Sequence, residues 1–271
     1  MKKTSLLFAV LIVLISGLLI FTTVGSVSAV LNYQSENYNS EFAMKDIGIT
    51  LQEKGEKDEN FVDVGWRDYQ INDKKGEWRN GNEPLFSSID NIEFGRQYSE
   101  QFRVKNTGSN QSIDEYVRVK VYKYWVMDDG KQTKNYELDP AKIILKLGDT
   151  EIQNLTGERN GWVVDHSEDT VERTVMYYTT PIKHGETTGL FIDSLTIDSS
   201  VTNDFTRTET TDETGKYKTI TYTYKYDGNL FCVEIEADAI QTHNADKAIK
   251  SVWGRNVTID KGTKKLSLVN D

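Results

Sequence analysis

Strand-like alternation of apolar and polar residues recurs about every ten to twenty residues along this chain, and a 3.6-residue period is nearly absent. Met44, Ile47, Ile49 and Leu51 set a first strand, with strict alternation from Ile47 to Leu51. Phe102 and Val104 mark another, closed by the turn sequence Asn106-Thr107-Gly108-Ser109-Asn110. Residues 116–127 carry the strongest pattern. Val117, Val119, Val121 and Trp125 share one face, and Arg118, Lys120, Tyr122 and Tyr124 the other, which predicts a half-buried strand ending at Asp128-Asp129-Gly130. Further strands are expected over 142–147, 171–179, 189–197, 229–239, Val257–Ile259 and 266–269, with Phe231, Val233 and Ile235 pointing one way. Phe205–Thr211 and 216–226 form a Thr-rich pair joined across Asp212-Glu213-Thr214-Gly215. Thr and Tyr on both faces predict a hairpin standing partly clear of the core. A single helix is expected over Ala245–Trp253, capped by the Asn244 side chain.

Many short strands, regular turns and one minor helix predict an all-β fold: an antiparallel, jelly-roll-like sandwich with an extended Thr-rich hairpin. The region 53–91 fits least well. It is charged and rich in Gly and Asn, and reads as a long loop pinned by Trp66, Tyr69 and Trp78. There is no Pro- or Ser-rich linker and no tandem repeat, so residues 30–271 read as one domain.

Residues 1–29 read differently. Lys2 and Lys3 precede an apolar run from Leu6 to Phe21, and Val27-Ser28-Ala29 has the small-residue pattern a signal peptidase needs. The run is short for a membrane span, which takes about 20 residues. The expectation is a cleaved export signal, so that the globular part works outside the cytoplasm and meets a membrane only through an uncleaved signal. The chain has 32 Lys and Arg against 42 Asp and Glu, a net charge of −10, and loses two more positive charges with the leader. Such a surface repels nucleic acid and anionic lipid. One cysteine, Cys232, excludes an intramolecular disulfide; its strand setting predicts a buried, inert thiol.

Catalytic signals are weak. His166, His184 and His243 form no H-E-x-x-H spacing. His166-Ser167-Glu168-Asp169 holds triad residue types, but consecutive side chains do not converge as a triad requires. The acidic stretches at Asp128-Asp129-Gly130 and 68–77 lack the twelve-residue spacing of an EF-hand and read as solvated turns. No metal or cofactor is expected, and no catalytic residue. The segment 30–42 carries Val30, Leu31, Tyr33, Tyr38 and Phe42 among polar residues directly after the cleavage site. A freed extended terminus of this kind can add to a neighbour's sheet edge or pair within its own domain.

The chain resembles the TasA/camelysin family of exported bacterial proteins. The likeness rests on Phe42-Ala43-Met44-Lys45-Asp46-Ile47-Gly48-Ile49-Thr50-Leu51, then Phe102-Arg103-Val104-Lys105-Asn106-Thr107-Gly108, then Tyr116-Val117-Arg118-Val119-Lys120-Val121. The sequences Ala237-Asp238-Ala239-Ile240-Gln241-Thr242-His243-Asn244-Ala245 and Trp253-Gly254 complete it. The resemblance implies a biofilm-matrix fibre subunit that donates its N-terminal strand to the next copy, with Val30, Leu31, Tyr33, Tyr38 and Phe42 on the donor. Its partners would be copies of itself and other matrix proteins. The chain departs from the family at Val30-Leu31-Asn32-Tyr33, in the 53–91 loop and in the 205–226 hairpin. A camelysin-type metallopeptidase and a monomeric adhesin presenting the hairpin are the alternatives, although no metal-ligand spacing supports the first.

Overall fold

The computed structural model describes residues 48–64, 66–67, 78–79, 85–89, 91–108, 114–129, 133–211 and 218–269. In chain order the strands are β1 (Ile49–Lys54), β2 (Val62–Asp63), β3 (Trp66–Arg67), β4 (Trp78–Arg79), β5 (Gln97–Asn106) and β6 (Glu115–Met127). Then follow β7 (Ile143–Leu147), β8 (Thr150–Glu151), β9 (Trp162–Val164), β10 (Arg173–Tyr178) and β11 (Ile192–Ile197). The last are β12 (Phe205–Thr211), β13 (Lys218–Tyr224), β14 (Asn229–Gln241), β15 (Val257–Ile259) and β16 (Leu266–Leu268), with helix α1 (Ala245–Trp253) between β14 and β15.

Two antiparallel sheets make the sandwich. One runs β2-β1-β5-β11-β7-β8 and the other β14-β6-β10-β9. The period of two explains the layer between them. Phe102 and Val104 of β5, Leu145 of β7 and Ile197 of β11 meet Val117, Val119 and Val121 of β6, Met176 of β10 and Val233 of β14 in one buried cluster. The all-β, antiparallel, sandwich-like expectation holds, and so does the single short helix among the described residues.

The half-buried reading of β6 needs correction. The other face of its sheet is covered by α1 and the β15–β16 hairpin, through a second cluster of Tyr116, Val175, Tyr177, Ile240, Ile249, Trp253 and Leu266. Arg118 is therefore only 6% exposed. Its Nη2 donates to Asp238 Oδ2 at 2.6 Å and its guanidinium lies 4.8 Å from the Trp253 ring centre. On the inner face, Lys123 interrupts the apolar series. It is buried, with Nζ donating to the Ile143 carbonyl at 2.9 Å, and burial lowers its pKa.

Helix α1 spans the expected residues, but Asn244 caps it differently. It adopts the left-handed region (φ 51°), and its side chain makes no capping bond. Instead its backbone carbonyl accepts from Ala248 N–H at 3.1 Å. Cys232 is half-buried rather than buried, because β14 is the last strand of its sheet.

The 53–91 region is more ordered than a loop where it is described. β2 folds back on β1, pairing Gln52 with Asp63, and β3 pairs with β4. The β12–β13 hairpin is exposed along the described length of both strands, as expected. Its register sorts the faces, however. Thr206, Thr208 and Thr210 oppose Thr223, Thr221 and Thr219 on one, while Phe205, Ile220, Tyr222 and Tyr224 share the other.

The region after α1 is tied to the sandwich by a buried ion pair. Arg255 Nε lies 2.6 Å from Asp165 Oδ2, and both side chains are almost wholly shielded. Ser167 donates to the other oxygen, Asp165 Oδ1. Removing one member of such a pair strands the other charge in low dielectric, which costs about 3–5 kcal/mol. Arg255→Met is accordingly expected to lower unfolding stability by about that amount in urea titrations, whereas a loss under about 1 kcal/mol would contradict this account.

Candidate assembly edge

β14 is a thirteen-residue strand that, among the described residues, has a ladder on one side only. Every residue from Asn229 to Gln241 is in register with β6, and β14 ends its sheet. An edge strand of this length presents a row of outward backbone donors and acceptors. Its outer face is charged: Glu236 pairs with Lys120 at 2.9 Å and Asp238 with Arg118. Burial, with Cys232 and Glu234 alongside, raises the Tyr124 hydroxyl on the same face.

The inner face of β14 is apolar but incompletely covered. Phe231, Ile235 and Ala237 pack against the core while remaining half-buried. Across the layers β14 touches β1, where Ile49 and Leu51 are also only half-buried. β1 has its own partial edge, since β2 pairs only with Gln52 and Glu53. The sandwich is thus tight through β5, β11 and β7 and thin along the β1–β14 seam.

At the start of β14, between it and the segment 92–94, lies an open and mostly apolar cavity of about 420 Å³, lined by Ile92, Phe94, Trp125, Tyr226, Asn229, Leu230 and Phe231. Its floor is fixed. Trp125 Nε1 donates to the Asp139 carbonyl at 3.0 Å, and the Tyr226 ring packs edge-on against Trp125 at 4.9 Å. Burial raises the Tyr226 hydroxyl pKa. Phe94 and Leu230 at the rim are 50% and 45% exposed. Together they put apolar surface in water beside the cavity.

The sequence-predicted donor residues Val30, Leu31, Tyr33, Tyr38 and Phe42 lie outside the described residues, as do the leader and the acidic stretch 68–77. The β14 edge was not anticipated, because being last in a sheet is a non-local property. The alternation of Phe231, Val233, Ile235 and Ala237 with polar neighbours marks a long strand but fits an edge and a central position alike.

The histidines do not assemble a site. His166 Nδ1 is 2.9 Å from Asp169 Oδ2 and its Nε2 is 2.9 Å from the Leu155 carbonyl, so both ring nitrogens are engaged. Ser167 turns away to Asp165 at 2.6 Å. His184 and His243 are exposed in separate turns. Among the described residues no group of three or more His, Cys, Asp or Glu is disposed to hold a metal ion. Asp129 closes its turn by accepting from the Thr133 hydroxyl at 2.7 Å.

Leu230→Ser is expected to change unfolding stability by less than about 1 kcal/mol, since the side chain already faces water. A loss of several kcal/mol in chemical unfolding would show that the rim belongs to the core. No protein-family model matches this chain, and no curated protein and no solved structure is significantly similar to it.

Proposed function

We propose that this protein is a secreted structural subunit of a cell surface or biofilm matrix that assembles into fibres by strand donation. In this reading the leader is removed, and the segment 30–42 of one copy adds to the β14 edge of the next. The observation that carries it is the unfinished seam: a long edge strand whose core-facing residues are half-buried beside an open apolar cavity. The donor is itself thirteen residues long, matching the span of β14. Strand addition takes affinity from the backbone ladder and selectivity from side chains seated in pockets. Tyr33, Tyr38 and Phe42 supply the aromatic groups that such a cavity accepts. The likeness to the TasA/camelysin family supports the same reading, as does the acidic surface, which disfavours nucleic acid and anionic membranes.

The exposed aromatic face of β12–β13 favours a second reading, a surface adhesin that works as a monomer. Phe205 stacks on Tyr222 and Tyr224 at 5.3 and 5.5 Å with no core behind them.

The two readings separate in one experiment. A chain of residues 43–271 is expected to stay monomeric and folded, to form no filaments in negative stain, and to bind a synthetic 30–42 peptide but not its scrambled counterpart. Filaments from the truncated chain, or no discrimination between the peptides, would overturn strand donation.

A further inference from the structure

Two glutamates point into the apolar end of the sandwich. In the β1–β5 register Glu53 lies opposite Phe102, and Glu100 is two residues back along β5 on the same inward face. Glu100 is 0% and Glu53 5% exposed. Each carboxyl pins the segment 85–89 from below. Glu53 Oε1 accepts from Phe86 N–H at 2.9 Å, and Glu100 Oε1 accepts from the Ser88 hydroxyl at 3.1 Å. The remaining oxygen, Glu100 Oε2, is sealed from water with no donor N–H or hydroxyl upon it. The two carboxyls bear on one another in the same shielded end. Two ionised carboxylates there would repel, and a proton on one of them relieves the repulsion and gives the stranded oxygen a role.

The segment they hold is strained and fills the seam. Phe86 adopts φ +63°, a region costly for a bulky L-residue. Its ring lies edge-on to Phe102 at 5.6 Å and 6.3 Å from Phe231. Phe102 belongs to one sheet and Phe231 to the edge strand of the other, so Phe86 bridges the layers. Gly55, at the end of β1, leaves room for the segment, because a Cβ there would overlap the Ser88 side chain.

We propose that Glu53 and Glu100 share a proton that latches the 85–89 segment and its Phe86 ring into the end of the sandwich. Loss of that proton sets two buried carboxylates against each other, frees the strained segment and widens the seam. The charged groups bearing on the pair are acidic: Asp58, whose Oδ2 accepts from Gly55 N–H at 2.9 Å, and Glu56, which is bound by Arg96 at 2.9 Å. Tyr98, the next inward residue of β5, keeps its hydroxyl on the backbone of Asn91 and Glu93, and β14 presents the Phe231 ring to Phe86. Burial above all, with Asp58 adding repulsion, pushes Glu53 up to about 8 and Glu100 up to about 7. An acid with a raised folded pKa binds its proton more tightly folded than open. The latch is therefore fully closed below the ordinary glutamate value of 4.5 and is lost as pH rises through about 7 to 8.

The latch belongs to the single chain and does not depend on strand donation. Its test is hydrogen exchange of residues 85–89 in the monomeric protein at about pH 5 and about pH 8, corrected for intrinsic rates. Protection is expected to fall at least tenfold, because each titrating group weakens closure by up to about tenfold per pH unit. Glu53→Gln supplies a donor that does not titrate, and is expected to keep most of the protection at the higher pH. Equal protection of the wild type at both pH values would overturn the proposal, and so would an undiminished pH dependence in Glu53→Gln. If that variant fails to fold, the wild-type comparison still decides, together with Ser88→Ala, which is expected to lower protection at both pH values.

Discussion

A β-sandwich is finished only where the last strand of each sheet has a partner or a cover, and β14 has neither along its outer side among the described residues. The rest of the arrangement follows from that edge. The four-stranded sheet is closed on one face by the six-stranded sheet and, around Tyr116, Val175 and Tyr177, on the other by α1 and β15–β16. What remains open is lateral. Phe231, Ile235 and Ala237 stay half-buried at an edge that no described strand flanks, although they point into the same core as the fully buried Val117 and Val119. The proposed assembly treats this opening as an acceptor for a strand from another copy.

Polar groups inside the sandwich sharpen the register that apolar burial leaves loose. Lys123 reaches the Ile143 carbonyl, Arg118 meets Asp238, and Arg255 meets Asp165. Each would be costly unpaired, so each penalises a strand slip that hydrophobic packing alone would tolerate. Glu53 and Glu100 differ, since among the described residues their carboxyls accept from a backbone amide and a hydroxyl rather than from a cation. They sit where the core meets the open seam, beside the strained Phe86. In the proposed latch, a shared proton takes the place a cation would fill.

Much of the architecture was legible from alternation because most strands have one wet and one dry face. The hairpin strand Phe205–Thr211, helix Ala245–Trp253 and strand Val257–Ile259 fall where the pattern places them. Failures came where burial depends on distant segments. β6 reads as half-buried from its own residues, and only α1 and Leu266, far along the chain, bury Arg118 and Tyr116. The first half of β5 was lost because Glu100 occupies an inward position and breaks the apolar series. β9 was missed because three residues carry no period. Asn244 has the right residue type for a cap but acts through its backbone. The candidate donor was visible as an apolar segment after a leader, whereas its acceptor was not, because no local pattern distinguishes an edge strand from a central one.

The account turns on whether the β14 edge is the surface that assembly covers. Hydrogen exchange compared between monomeric and assembled full-length protein addresses this directly. The predicted result is new protection of alternate amides across Asn229–Gln241 on assembly, the rhythm of a single added ladder. Unchanged exchange there, with protection appearing instead on the Phe205–Tyr224 hairpin, would contradict it.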